Sequence, residues 1–273
     1  MFRGTLHCGD RGITRKPAMQ QRWVRFEQAG KIGFGTLQDA RVQVHAGDMF
    51  GPNDATGVVH ALAEVRLLAP TVPTKVIALW NNFHALAKKL SLADPAEPLY
   101  LLKSPNSWSA HGAAIRPPHR QAKVVFEGEL GIVIGRTCSA ISEADAPAHV
   151  FGYTCANDVT VAEILHRDPS FTQWDRAKGQ DTFCPMGPVV ATGLDPATLT
   201  VTTRLNGEVR QQYPISDMRF SVARLVSEIS FDLTLHPGDV ILCGTSVGVG
   251  SMKPGSVVEV EIDGIGTLSN VYG

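Results

Sequence analysis

Apolar and polar positions alternate at the start of the chain over Trp23–Glu27, Ile32–Leu37 and Arg41–His45, with glycine-bearing turns between them. Period-two alternation between such turns predicts strands. A polar turn at Gly51–Asp54 and an apolar piece at Ala61–Leu68 follow, so residues 1–70 read as a small β-rich N-terminal module. Pro70 and Pro73 bracket a linker, and a main domain is expected over residues 71–273, its first strand beginning near Lys75. Lys75–Trp80 and Pro98–Lys103 are apolar strands, whereas Phe83, Leu86, Ala87 and Leu90 fall on one helical stripe.

The middle of the main domain is Lys123–Gly135, read as a single strand. Side chains two apart on a strand share a face, so Glu127 and Glu129 are expected side by side on a segment otherwise rich in Val and Ile. Phe151–Asp158 is a strand running into a carboxylate, and His166–Thr182 is a polar, aromatic-bearing segment. Pro188–Ala191, Thr200–Leu205 and Val209–Gln211 are strands, the last two joined by an Asn206-Gly207 hairpin turn. Val222, Leu225, Val226 and Ile229 mark an amphipathic helix. Asp239–Cys243, Val257–Ile262 and Gly266–Val271 close the chain, with a second turn at Asp263-Gly264. Helices are short and no βαβ repetition appears, which gives an α+β, β-rich fold class.

Composition narrows the setting. A formal net charge of -1 over 273 residues gives no reason to expect nucleic acid or a membrane surface as a partner. The five cysteines are scattered without a Cys-x-x-Cys pair, which argues against a disulfide framework or structural zinc and for a reducing compartment. No apolar run spans a bilayer and Met1–Gln20 lacks an apolar signal core, so a cytoplasmic protein is expected. Met19, just before the first strand, is the expected natural start.

Adjacent carboxylates on a buried face repel and lose solvation unless a cation or donors compensate. A hard divalent ion such as Mg²⁺ does this with one or two carboxylates and leaves room for substrate. The alternative for Glu127 and Glu129 is ordinary surface charge. Asp158 reads equally as a helix N-cap, Lys178 as a surface lysine, and His84 as an exposed histidine. Gly244–Ser251 follows a strand but does not open a helix, so it is not a phosphate loop; it suits a backbone-lined pocket wall.

Four separated segments, Phe126–Gly135, Gly152–Thr160, Lys178–Pro188 and Pro237–Gly250, resemble the successive motifs of the fumarylacetoacetate hydrolase family in its order and approximate spacing. The resemblance covers roughly Lys75–Tyr272. It implies a mixed β-sandwich roll, a homodimer, and a divalent cation (Mg²⁺, or Mn²⁺ or Ca²⁺) held by Glu127, Glu129 and Asp158. Lys178 matches the active-site lysine, and Gly244 and Thr245 match the glycine-rich substrate loop. His84 is similar to the catalytic histidine. Ala87 stands where some members carry its glutamate partner, so Glu259 takes that role by position. Ala162 and Leu165 stand where the family carries a substrate-gripping Arg and Gln; either Arg167, Gln173 or Arg176 from the intervening segment substitutes for them or the substrate differs, and Arg176 and the lone Lys103 are taken as substrate-binding candidates. The implied activity is hydrolysis of a C–C bond in an acylpyruvate- or fumarylpyruvate-like 2,4-dioxo acid. The alternative is isomerisation or decarboxylation of a 2-oxo-heptenedioate-type acid in aromatic catabolism. A catalytically silent metal and oxo-acid binder is the third reading.

Overall fold

The computed structural model describes residues 20–273; the expectation for Met19 lies outside the described residues. The chain opens as a meander of β1 (Arg22–Gln28), β2 (Lys31–Gln38), β3 (Arg41–Gly47) and β4 (Asn53–Ala61), and β5 (Arg66–Leu67) returns to β1. Then come β6 (Val76–Trp80), helix α1 (His84–Leu90), β7 (Leu99–Lys103) and β8 (Trp108–Ala110). Next are β9 (Val124–Phe126), β10 (Gly128–Ile134), β11 (Val150–Asn157), β12 (Thr160–Val161) and helices α2 (Ala162–Leu165) and α3 (Trp174–Lys178). The chain ends with β13 (Cys184–Ala191), β14 (Thr200–Leu205), β15 (Glu208–Pro214), α4 (Val222–Asp232), β16 (Val240–Leu242), β17 (Gly250–Ser251), β18 (Ser256–Ile262) and β19 (Gly266–Tyr272).

These strands form a twelve-stranded mixed sheet, a four-stranded sheet ordered β15-β14-β18-β19, and a three-stranded sheet ordered β12-β9-β17. The result is the expected β-rich mixed fold with short helices. The N-terminal meander joins the large sheet through β1, which pairs with β13 at Arg22–Ala191 and Trp23–Val190. Parallel pairing of β16 with β6, and of β8 with β13, makes that sheet mixed. Among the described residues no helix is long and apolar enough to cross a membrane.

Three local features position the site. The expected single strand through Lys123–Gly135 breaks at Glu127, because β9 belongs to the three-stranded sheet and β10 to the large one. The four-stranded sheet packs against β10 through its inward residues: at Gly128 an added Cβ would lie 2.0 Å from Thr203 Oγ1 and 3.2 Å from Val260 Cγ2. Helix α4 is capped by Ser221, whose hydroxyl accepts the Arg224 N–H at 3.1 Å, and buries Leu225, Val226 and Ile229. Val240–Cys243, apolar on both faces, is fully buried within one chain.

Candidate metal centre

Pairing of β10 with β11 sets Gly128 opposite Asn157 and Glu129 opposite Ala156. That register brings Glu127 and Asp158 face to face just beyond the paired ends: Asp158 N–H donates to Glu127 O and Asn157 Oδ1 accepts the Glu127 N–H, both at 2.9 Å. Glu129, two residues on, lies on the same side. One carboxylate oxygen from each of Glu127, Glu129 and Asp158 falls within 4.8 Å of the others, while Glu129 and Asp158 are almost wholly buried. Asp158 is followed by a strand, so it caps no helix.

The glycine between the two glutamates is required by packing, and its backbone is held by side chains. Gly128 N–H donates to Gln211 Oε1 at 3.1 Å, and Gly128 O accepts from Tyr213 Oη at 2.5 Å and from Thr245 Oγ1 at 3.0 Å. Gln211 Nε2 donates to Thr245 Oγ1 at 2.9 Å and to Ser246 O at 3.1 Å. Gln211 and Tyr213 are the two inward positions of an otherwise exposed stretch of β15, and a polar residue at such a position is the signal that sequence reading passed over.

Two lysines enter this cluster. Lys178 Nζ donates to Asp158 Oδ2 at 2.6 Å, Glu127 Oε2 at 2.8 Å and Thr160 Oγ1 at 2.7 Å, and Thr160 in turn donates to Glu127 Oε1 at 3.0 Å. Thr160 was also missed, although its place two residues after Asp158 on an extended chain puts it on the same side. Lys103 was expected to bind substrate, and the structure corrects this. Its buried ammonium donates to Asp158 Oδ1 at 2.6 Å, to Phe183 O at 3.1 Å and to the carbonyl of Lys178. An ammonium has three protons, so none is left for a ligand. Lys103 ties the acid to the segment that carries Lys178.

The charges do not balance. Three carboxylates face two ammonium groups, and the shortfall sits on Glu129: its Oε2 accepts the Gly244 N–H at 2.7 Å, while its buried Oε1 has no partner. Burial, reinforced by Asp158, pushes the Glu129 carboxyl well above the ordinary range. Burial also raises Glu127, against the pull of Lys178. For Asp158 burial acts in the same direction but is outweighed by Lys103 and Lys178, which hold it low. Burial would lower Lys178, yet Asp158 and Glu127 raise it and keep it charged. Asn157 Nδ2 and Ser246 Oγ, from residues flanking Asp158 and Thr245, are likewise buried without partners. An all-oxygen, net-anionic, incompletely satisfied site fits a hard divalent cation.

The remaining expectations fare differently. Gly244 (φ +87°) contributes its backbone N–H to Glu129, and Thr245 contributes its hydroxyl to Gly128, so both lie at the site. His84 is exposed at the start of α1. Glu259 lies on β18 between Arg204 and Ser269, alternating with the buried Val258 and Val260 and therefore on the face turned away from Gly128. Among the described residues no hydrogen bond or ion pair joins Glu259 to His84, so the expected pair is not assembled. Arg176 is also not brought to the carboxylates. It lies two residues from Lys178 on α3, which is roughly 200° around the helix, and hydrogen-bonds Gln173 Oε1 at 3.3 Å.

Comparison with known proteins matches residues 75–271 to the family model described as fumarylacetoacetate (FAA) hydrolase C-terminal, and residues 21–70 to one described as Rv2993c-like, N-terminal. Oxaloacetate tautomerase YisK of Bacillus subtilis is 38% identical over 81% of this chain and 78% of its own length. The crystal structure of 2-hydroxyhepta-2,4-diene-1,7-dioate isomerase from Mycobacterium marinum is 39% identical, with a TM-score of 0.85 over 92% of this chain and 98% of the other. A fumarylacetoacetate hydrolase from Exiguobacterium antarcticum is 33% identical, with a TM-score of 0.82 over 92% of this chain and 99% of the other. With its four motifs converging on one carboxylate cluster, this chain belongs to the fumarylacetoacetate hydrolase family.

Proposed function

We propose that this protein is a divalent-metal-dependent isomerase or decarboxylase of a small 2-oxo dicarboxylic acid, handling the enol of that acid, rather than a C–C hydrolase. The observation that carries this reading is the contrast between the two groups expected to do chemistry. Lys178 is locked by three hydrogen bonds into the carboxylate cluster, whereas His84 is exposed and has no carboxylate partner among the described residues. Hydrolysis needs a positioned base for water. Interconversion of keto and enol forms, or loss of CO₂, needs above all that negative charge on the 2-oxygen be stabilised. The names of the B. subtilis and M. marinum relatives, a tautomerase and a dioate isomerase, point the same way.

A cation held by Glu127, Glu129 and Asp158 would polarise the carbonyl of a 2-oxo acid. Lys178, kept protonated by Asp158 and Glu127, spends its three protons on Asp158, Glu127 and Thr160, so it supports an enolate as a fixed positive charge beside it and not as a hydrogen-bond donor. Lys103 and Thr160 keep that ammonium and Asp158 in register. Burial of the cluster excludes bulk water and strengthens each of these interactions.

The test is turnover of 2-oxo dicarboxylic acids and acylpyruvates with Mg²⁺, products followed by mass, for His84→Ala and Lys178→Met side by side. Products of unchanged mass or lacking CO₂ are expected. Lys178→Met should lose about 10²–10³-fold, the range for removal of a preorganised charge-stabilising group, and His84→Ala should stay within a few-fold. Fragments carrying added water, with the His84 variant inactive, overturn the proposal. A homodimer is proposed on the family resemblance alone, and a monomer mass in light scattering at micromolar concentration would refute it.

A further inference from the structure

On the side of α3 away from Lys178 lies a cavity of about 400 Å³, walled by α2, α3 and the segment just before β9. Its charged lining is Arg120, Arg167, Arg176 and Asp175, with His119, Gln121 and Gln180 beside them. Three arginines from three separate stretches of chain, all exposed, thus line one cavity with a single carboxylate, Asp175. Among the described residues none of these three arginines forms an ion pair. Only Arg176 has a side-chain hydrogen bond, to the neutral Gln173. A second cavity, of about 440 Å³, adjoins it through Pro118, His119 and Gln180 and adds Arg116; its one carboxylate, Asp181, is already engaged by Asn106 Nδ2 at 2.7 Å.

This concentration is not background. The chain as a whole has a net charge of -1, so three arginines lining one cavity beside a single carboxylate depart locally from its near-neutral balance. Like charges gathered around a concave surface repel unless an anion is shared between them. Pro117 and Pro118 fix the backbone leading to His119, and the Arg116 N–H is held by Thr182 Oγ1 at 2.8 Å. Guanidinium forks match carboxylate and phosphate oxygens in pairs, which an ammonium does not.

We propose that this cavity is a binding site for a small dianion, bound between Arg120, Arg167 and Arg176 and separate from the carboxylate cluster. The shared chemistry is two negative charges on oxygen, supplied either by a dicarboxylate or by a phosphate. Its occupant would fasten the segment before β9 to α2 and α3. The site is therefore physically linked to the helix that carries Lys178, while making no contact with the cation.

The test uses the full chain stripped with EDTA, so that no anion is read out through a metal. Inorganic phosphate and succinate are titrated separately, at ionic strength held constant with NaCl, and binding is followed by calorimetry and by the unfolding midpoint. A saturable response to phosphate alone, to succinate alone, or to both supports the proposal and identifies the source. Arg167→Ala and Arg176→Ala should each bind about tenfold or more weakly, the loss of one charge-assisted hydrogen bond, with circular dichroism and Mn²⁺ binding unchanged. Arg120→Gln, which keeps bulk and removes charge, provides an independent variant. No saturable response from either anion, or an equal response in the arginine variants, overturns the proposal.

Discussion

Lys103→Met removes a buried charge while keeping the length of the side chain, and the structure sets the size of the effect. The ammonium is inaccessible, pairs with an equally inaccessible Asp158, and satisfies the carbonyls of Lys178 and Phe183. Breaking a buried ion pair from one side typically costs about 3–5 kcal/mol, because the partner charge stays buried. Lys178 still holds Asp158, which keeps the expected loss toward the lower end, about 3 kcal/mol. Urea unfolding of the EDTA-treated protein measures it. Arg66→Ala provides the control: its pair with Glu27 is open to solvent, the two side chains being 68% and 31% exposed, so a change of about 0–1 kcal/mol is expected. The Lys103 variant leaves three carboxylates against one ammonium, so Mg²⁺ should recover more stability in it than in the unmodified chain. A loss below about 1 kcal/mol, comparable to the control, would refute the reasoning.

Asp239 accepts five hydrogen bonds, from the backbone and hydroxyl of Thr74, the backbone and ammonium of Lys75, and His236 N–H. Asp239→Asn should therefore cost about 3 kcal/mol at neutral pH in a denaturant titration. Burial works to raise the Asp239 carboxyl, but Lys75, His236 N–H and Thr74 together hold it low. A folded-state pKa below the unfolded one contributes stability above the unfolded value and loses it as pH falls through the folded value. The gap between the parent and Asp239→Asn should thus be full at pH 6 and shrink below about pH 4; a gap independent of pH contradicts this. Gly128→Ala drives a methyl into Thr203 Oγ1 and should cost about 1–3 kcal/mol and weaken Mn²⁺ binding. Thr203→Ala should partly restore both, and no rescue would place the strain elsewhere.

Much of the site was legible because its signals are local. Glu127 and Glu129 are neighbours in a strongly apolar segment, Asp158 ends another, and Lys178 stands in a distinctive motif. The first three strands of the N-terminal meander and the Asn206-Gly207 turn were legible for the same reason, the turn having positive φ at both residues as its type requires, whereas β4 (Asn53–Ala61), which begins inside the expected polar turn, was not. What alternation does not encode is which sheet a strand joins. Val124–Phe126 and Gly128–Ile134 read as one strand because both halves are apolar, and only their different partners, β12 and β17 against β11 and β16, separate them at Glu127. Lys103 ends an ordinary apolar strand, and its three acceptors lie 55 to 80 residues away in sequence. Helices α2 and α3, at four and five residues, are too short to display a helical period. The pairing of His84 with Glu259 failed because positional matching ignores the face: on β18 the neighbours Val258 and Val260 take the inward side.

The central claim is that Glu127, Glu129 and Asp158 together hold one divalent cation, with the unpartnered Glu129 oxygen as the decisive ligand. Calorimetric titration of the stripped protein with Mn²⁺ tests this most directly, compared with Glu129→Gln, which keeps the shape and removes the charge. The account predicts one ion per chain in the parent protein and loss of binding in the variant, with folding intact by circular dichroism. Equal stoichiometry and affinity in both would contradict it.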